Sequence, residues 1–298
     1  MKIIILGYNS FVGSAIAEYF DNKDNVELVY VGRKDCDQHD VIKFDVKNNL
    51  SELKDNVADL VKTINLDYDS VVVNCISMGD VDKCETHKEE CEIQNYEFVK
   101  ILYDEMSKGD FSKLVHFSTN AVYDGKHAPY GETSECHPVN YYGVIKLKAD
   151  HYLLDQKDNR VIVARPITMY GKVPEGGRAN PTSMIIGRLM ANQELKLVND
   201  VLVNILYIGD LVRTVEKLLE IDFSGLINIS GDEIYSRYDL GLKIAGLLNK
   251  DPVLIESVTS DEFVTVAKRP LDTSFDNALM KQLGIKPSLL ADIVPGLL

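Results

Sequence analysis

Short runs of aliphatic and β-branched residues return along this chain at intervals that a helix would fill, and this alternation restricts the fold more than any single residue does. Residues 2–6, 26–31, 70–75, 113–118 and 161–165 read as strands. Between and after them, residues 11–22, 50–64, 88–108, 139–156, 181–192, 210–221 and 235–248 carry apolar positions near i, i+3, i+4 spacing and read as helices. The strands are apolar almost throughout, as expected of a parallel sheet with helices on both faces. The expected class is α/β, a doubly wound parallel sheet. After Tyr170-Gly171 the alternation fails in a loop rich in Gly and Pro, residues 172–181. Residues 1–171 are therefore expected to form one unit to which 204–229 return. Residues 172–203 and 230–298 would form a second, smaller unit.

Bulk properties narrow the partners. A chain of 298 residues can bury a self-sufficient core. Its five cysteines, Cys36, Cys75, Cys84, Cys91 and Cys136, are odd in number and lack paired spacing, which favours reduced thiols and a cytoplasmic setting. The apolar run at the N-terminus breaks at Gly7, too short for a signal peptide or a membrane span. A net charge of −14 with no Lys/Arg cluster opposes binding to a nucleic-acid backbone. No metal site is expected: Cys84, His87 and Cys91 would share a helix face, but no fourth ligand is evident.

Gly7-Tyr-Asn9-Ser10-Phe11-Val12-Gly13 sits where the first strand turns into the first helix, so a phosphate there would meet backbone N–H groups at a positive helix end. Gly7 suits the turn and Gly13 suits close helix packing, while Ser10 stands where dinucleotide-binding turns usually carry a middle glycine. About 20 residues on, an NAD site would place a carboxylate for the ribose hydroxyls. Here stand Arg33 and Lys34, so a 2′-phosphate, and with it NADPH over NADH, is the expectation.

Further along the chain, residues 117–125 carry the hydroxyls of Ser118 and Thr119 to the carboxyl end of a later strand, where open α/β sheets bind ligands. Twenty-three residues after Thr119, Tyr142 is followed at i+4 by Lys146 on a Pro-led helix. The same spacing recurs at Tyr19/Lys23, Tyr30/Lys34 and Tyr96/Lys100, so context selects the pair. One helix face would bring the ammonium to the phenol and lower its pKa. Tyr142 would act as the acid, Lys146 as its tuner and Thr119 as the group orienting a carbonyl oxygen. His116, inside an apolar strand, reads as a hydrogen-bonded core residue.

Taken in order, these segments resemble the extended short-chain dehydrogenase/reductases, most of all the dTDP-4-dehydrorhamnose reductase branch of sugar-nucleotide reductases. Val73-Asn-Cys-Ile-Ser-Met-Gly-Asp-Val-Asp-Lys-Cys-Glu85 resembles V-N-A-A-A-Y-T-x-V-D-x-A-E, and Asn95 matches the asparagine of the next helix. Ser118-Thr119 with Val122-Tyr-Asp-Gly125 resembles S-T-D-Y-V-F-D-G. Pro138-Val-Asn-Tyr-Tyr-Gly-Val-Ile-Lys146 resembles P-x-N-x-Y-G-x-S-K, and Arg269-Pro-Leu-Asp-Thr-Ser274 resembles R-P-x-D/N-S. The resemblance implies a Rossmann sheet with a small α+β C-terminal substrate-binding domain. It implies a nicotinamide cofactor touched by Asp45, Val46, Cys75, Ile76, Ser77 and Asn95 as well as by the glycine turn, Tyr142 and Lys146. It also implies a nucleotide-diphospho-4-keto-6-deoxysugar substrate near Asn120, Ala121, Arg178, Asn180 and Arg269, the two arginines clamping the pyrophosphate. A homodimer through the helices at 88–108 and 139–156 is implied as well.

Departures leave the nucleotide and the sugar open. Asn120-Ala121 replace the Asp-Tyr of the rhamnose reductases, and Val203-Asn-Ile-Leu206 stands where that branch has G-x-P-T. Dehydratases of the superfamily resemble S-T-D-E-V-Y, whose acid and base are absent here. GDP-fucose synthase carries a cysteine and a histidine that this chain lacks. A C4 epimerase stays open, as does a non-catalytic NADP-binding regulator like the methionine adenosyltransferase regulatory subunit.

Overall fold

The computed structural model describes residues 1–37 and 39–297. Seven parallel strands form its main sheet: β1 (Lys2–Leu6), β2 (Glu27–Gly32), β3 (Val41–Lys43), β4 (Ser70–Asn74), β5 (Lys113–Phe117), β6 (Val161–Pro166) and β7 (Gly225–Ile229). Their order is β7-β6-β5-β4-β1-β2-β3. The winding reverses between β1 and β4, which opens a crevice at the strands' carboxyl ends.

The continuous apolar character of the strands has a direct cause. Ile3, Ile5, Val71 and Val73 enter one core layer, while Ile4, Leu6 and Val72 enter the other. Helix α1 (Phe11–Asp21) covers the first layer through Ile16 and Phe20, and α2 (Leu50–Ile64) covers the second through Leu53, Val57 and Leu60. Each layer removes a continuous apolar surface from water, the dominant favourable term in folding.

Three differences from the sequence pattern bear on the site. A short helix, α3 (Val81–Thr86), forms where none was expected, capped by the Asp80 side chain accepting from Lys83 N at 3.0 Å. The expected helix at 88–108 divides into α4 (Lys88–Glu92) and α5 (Phe98–Met106), joined by a π turn at Ile93–Glu97. Strand β3 had too few residues to register as a period. Beyond these stand α6 (Tyr141–Asp155), α7 (Pro181–Met190), α8 (Ile208–Glu220) and α9 (Arg237–Leu247). Outside the main sheet, Leu195–Val198 pairs with Ile255–Val258, and Val203–Asn204 with Ile234–Tyr235. Among the described residues no helix is long and apolar enough to cross a membrane.

Candidate active site

Strand β5 delivers Ser118 and Thr119 to the crevice, and α6 begins opposite them. Asn140 caps α6: its Oδ1 accepts from Gly143 N at 2.9 Å, and its Nδ2 donates to the Lys268 carbonyl at 2.9 Å. Gly143 is required by a close approach, since a Cβ there would stand 2.1 Å from the Ala121 carbonyl oxygen. The short 3-10 turn Asn120–Val122 can therefore lie on the first turn of α6, bringing Thr119 to Tyr142. Thr119, Tyr142 and Lys146 are all buried. The other Tyr/Lys pairs lie elsewhere: Lys23 pairs with Glu216 and Lys100 with Asp104, while Lys34 is exposed.

The electrostatics correct one expectation. Burial pushes the Tyr142 phenol up to about 12, and what favours its anion is hydrogen bonding from Thr119 and Ser77. Lys146 does not bring it down. Burial instead pushes the Lys146 amine down to about 8, against the pull of Asp150 and Cys91. Its Nζ donates to the Phe117 carbonyl at 2.6 Å and lies 3.1 Å from His116 Nε2, so it is turned toward β5. Tyrosine stays protonated in this state, as a proton donor must. One turn further along α6, Asp150 Oδ2 accepts from Ser118 Oγ at 2.8 Å and from Arg165 Nε at 2.9 Å.

The segment after β4 forms the neighbouring wall. Asn95, on the π turn, accepts from Ser77 Oγ and Met78 N, both at 2.9 Å, and donates to the Met78 carbonyl at 3.1 Å. Its amide is thus committed to the protein, and it acts by holding Ser77 near Tyr142. Cys75 is held by its N–H to the Leu6 carbonyl at 2.9 Å, and Ile76 N donates to Asn74 Oδ1 at 3.0 Å. Cys84 and Cys91 pack with Tyr142 and Ile145 in a small buried cluster. His87 stands apart at the break between α3 and α4, so the three do not share one helix face.

At the nucleotide end, Ser10 caps α1, its Oγ accepting from Gly13 N at 3.1 Å. A Cβ on Gly13 would stand 2.3 Å from the Gly7 carbonyl oxygen. The serine hydroxyl in place of a glycine thus serves the helix, and the first-turn N–H groups of Phe11 and Val12 are left for an anion. Asn9 Oδ1 and the Tyr8 ring cover Gly32 at the end of β2. Arg33 and Lys34 follow in the open, with Arg33 Nε 3.8 Å from Asp45 Oδ1. Arg33, Phe44 and Asp45 line a groove of about 410 Å³, and Val46 is buried beside it. Uncommitted first-turn N–H groups and an exposed guanidinium fit a nicotinamide dinucleotide.

Arg178 and Arg269 line one groove of about 430 Å³ with Val81, Asn180 and Met184. Each arginine faces an aspartate at α3: Arg178 NH1 is 3.5 Å from Asp80, and Arg269 NH2 is 3.0 Å from Asp82. Asn180 caps α7, accepting from Ser183 N and donating to the Gly171 carbonyl, both at 2.9 Å. Its side chain holds the groove wall. Asn120 Nδ2 donates to Thr273 Oγ1 at 2.7 Å, joining the β5 turn to the late Arg-Pro motif. A larger cavity of about 800 Å³ lies between α1, residues 172–175 and the start of α8, and contains none of these residues.

The family profile described as the RmlD substrate binding domain matches residues 1–291. The chain belongs to that family. Among its relatives, a dTDP-4-dehydrorhamnose reductase of Aggregatibacter actinomycetemcomitans is 26% identical, the match covering 96% of this chain and 95% of that one. A methionine adenosyltransferase 2 subunit beta of Danio rerio is 23% identical over 95% of this chain and 85% of that one. The crystal structure of a dTDP-4-dehydrorhamnose reductase from Clostridium acetobutylicum superposes with a TM-score of 0.78 at 26% identity, covering 95% and 92% of the two chains. The Bacillus anthracis reductase in complex with NADP shares the fold, with a TM-score of 0.78 at 22% identity over 99% and 98%. This RmlD-family chain therefore has the α/β Rossmann architecture its strand pattern predicted.

Proposed function

We propose that this protein is an NADPH-dependent reductase of the 4-keto group of a nucleotide-diphospho-4-keto-6-deoxysugar, working in deoxysugar biosynthesis. The observation that carries the reading is the burial of Thr119, Tyr142 and Lys146 together at the carboxyl end of β5. A regulator that only binds dinucleotide would need no such set. Gly7 to Gly13, Arg33 and the 75–77 segment would hold the cofactor, with the Arg33 guanidinium on the 2′-phosphate. When bound, the reduced nicotinamide supplies the hydride. Tyr142, protonated at neutral pH, donates its proton to the keto oxygen, and Thr119 donates a hydrogen bond to the same oxygen. Lys146, one turn on in α6 with its amine turned toward β5, would stabilise the phenolate left behind. Residues 172–203 and 230–298 form the substrate unit, with Arg178 and Arg269 exchanging their aspartates for the diphosphate.

Replacing Tyr142 with Phe tests the assignment. NADPH binding should persist while kcat falls by at least about 10²-fold, the usual scale for losing a general acid. Full turnover in Tyr142→Phe would remove the basis of the reading. Tight NADPH binding without turnover in the unaltered protein, together with capture of a partner enzyme, would favour the role of the methionine adenosyltransferase subunit relatives.

A further inference from the structure

Asn74 and His116 occupy matched positions on adjacent strands, the last residue of β4 facing the fourth of β5. Both are buried, as is Lys146. Four contacts join them in series. Ile76 N donates to Asn74 Oδ1 at 3.0 Å, Asn74 Nδ2 lies 3.3 Å from His116 Nδ1, His116 Nε2 lies 3.1 Å from Lys146 Nζ, and Lys146 Nζ donates to the Phe117 carbonyl at 2.6 Å.

The polarity of this series is set at one end. A backbone N–H can only donate, so Asn74 must turn its carbonyl oxygen to Ile76 and its NH2 to His116. Nδ1 of His116 then accepts, and in a neutral ring the proton sits on Nε2. The ring is neutral, because burial holds it far below its usual range. Nε2–H therefore points at Lys146 Nζ and needs a lone pair there, which only the uncharged amine has. Charging Lys146 breaks one link: either two donors face each other at His116, or the amide turns over and the Ile76 N–H loses its acceptor.

We propose that Asn74 and His116 are positioning residues that hold Lys146 as the uncharged amine while the nicotinamide site is empty, so that the lysine gains its proton only when the site fills. The other ionisable groups around the amine come from two directions. Asp150 lies one turn on in α6 and Cys91 faces it from α4, and both favour the charged form. Asp150 is already engaged by Arg165 and Ser118. Tyr142, one turn earlier on α6, is protonated and contributes no charge. The depressed pKa of Lys146 agrees with this bias. The inference refines the reductase reading above and rests on it for its role in turnover, but the charge state itself can be measured without turnover.

The test is the NMR titration of Lys146 in full-length protein carrying 13C-labelled lysine, assigned through Lys146→Met, beside the tautomer of His116 read from its ring 15N shifts. The unaltered, cofactor-free protein should show a Lys146 midpoint near 8 and a proton on Nε2 of His116. Asn74→Asp supplies an acceptor where the NH2 stood, reverses the ring, and should raise the lysine midpoint by about one unit or more. A midpoint in the ordinary lysine range, a proton on Nδ1, or a midpoint unmoved in folded Asn74→Asp would overturn the proposal. If Asn74→Asp does not fold, the tautomer and midpoint of the unaltered protein still decide it. Absence of sugar reduction with the predicted midpoint and tautomer would instead count against the reductase reading alone.

Discussion

Asp150 and Arg165 form a buried ion pair beneath the reacting residues, and its removal should be costly. The two groups meet at 2.9 Å with side-chain exposures of 0% and 3%. Asp150→Asn keeps an oxygen for Ser118 and for Arg165 Nε but removes the charge opposite the guanidinium. At 2.9 Å, even an effective dielectric of 20 gives a gross attraction of about 6 kcal/mol. The amide NH2 would take the place of Asp150 Oδ1, which has no hydrogen-bond partner among the described residues. Leaving one partner of a buried pair uncompensated costs about 3–5 kcal/mol, and that loss is predicted for Asp150→Asn. Urea unfolding followed by circular dichroism measures it as a lower midpoint at unchanged slope. Arg165→Met in the Asp150→Asn background removes the stranded charge and should restore at least about 1 kcal/mol. A loss under about 1 kcal/mol in the single variant, or a double variant as unstable as the sum of the singles, would refute the account of this pair.

Gly143→Ala places a methyl 2.1 Å from a backbone carbonyl oxygen that no rotamer change can move. It should lose about 2 kcal/mol or more and lower kcat by displacing Thr119, as urea unfolding and steady-state kinetics would show. Arg33→Ala should raise KM for NADPH about tenfold and leave KM for NADH nearly unchanged, the loss of one charge-assisted phosphate contact. For pH, Lys146 titrates near 8 in the native protein and at the ordinary 10.5 when unfolded, so between these values the unfolded state holds the extra proton and stability rises with pH. Tyr142 has the opposite sign, 12 against 10, so its contribution falls above pH 10. Unfolding midpoints should climb from pH 8 to 10, and Lys146→Met should remove that climb.

The sheet was legible because covering both faces forces near-continuous apolar strands, and the alternation of Ile3, Ile4, Ile5 and Leu6 between two core layers shows why. Thr119, Tyr142 and Lys146 were legible because strand end, helix start and spacing coincide. What was not legible depends on contacts between distant segments. The direction of the Lys146 side chain comes from His116 and Phe117, 30 and 29 residues earlier. The π turn that hands Asn95 to Ser77 leaves no mark in the apolar period of residues 88–108. The commitment of Asn180 to capping α7 could have been seen in Asn180-Pro181, a standard helix start. Asp80 and Asp82 gave no signal as partners of Arg178 and Arg269, because only the fold brings residues so far apart in sequence together.

Sugar reduction is read out by mixing the purified protein with NADPH and, separately, dTDP-, UDP-, GDP- and CDP-linked 4-keto-6-deoxysugars. Nicotinamide absorbance and product mass would be followed together. NADPH should be oxidised with at least one sugar, giving a product heavier by two hydrogens. NADPH bound tightly and left unoxidised by every sugar would contradict the reductase reading.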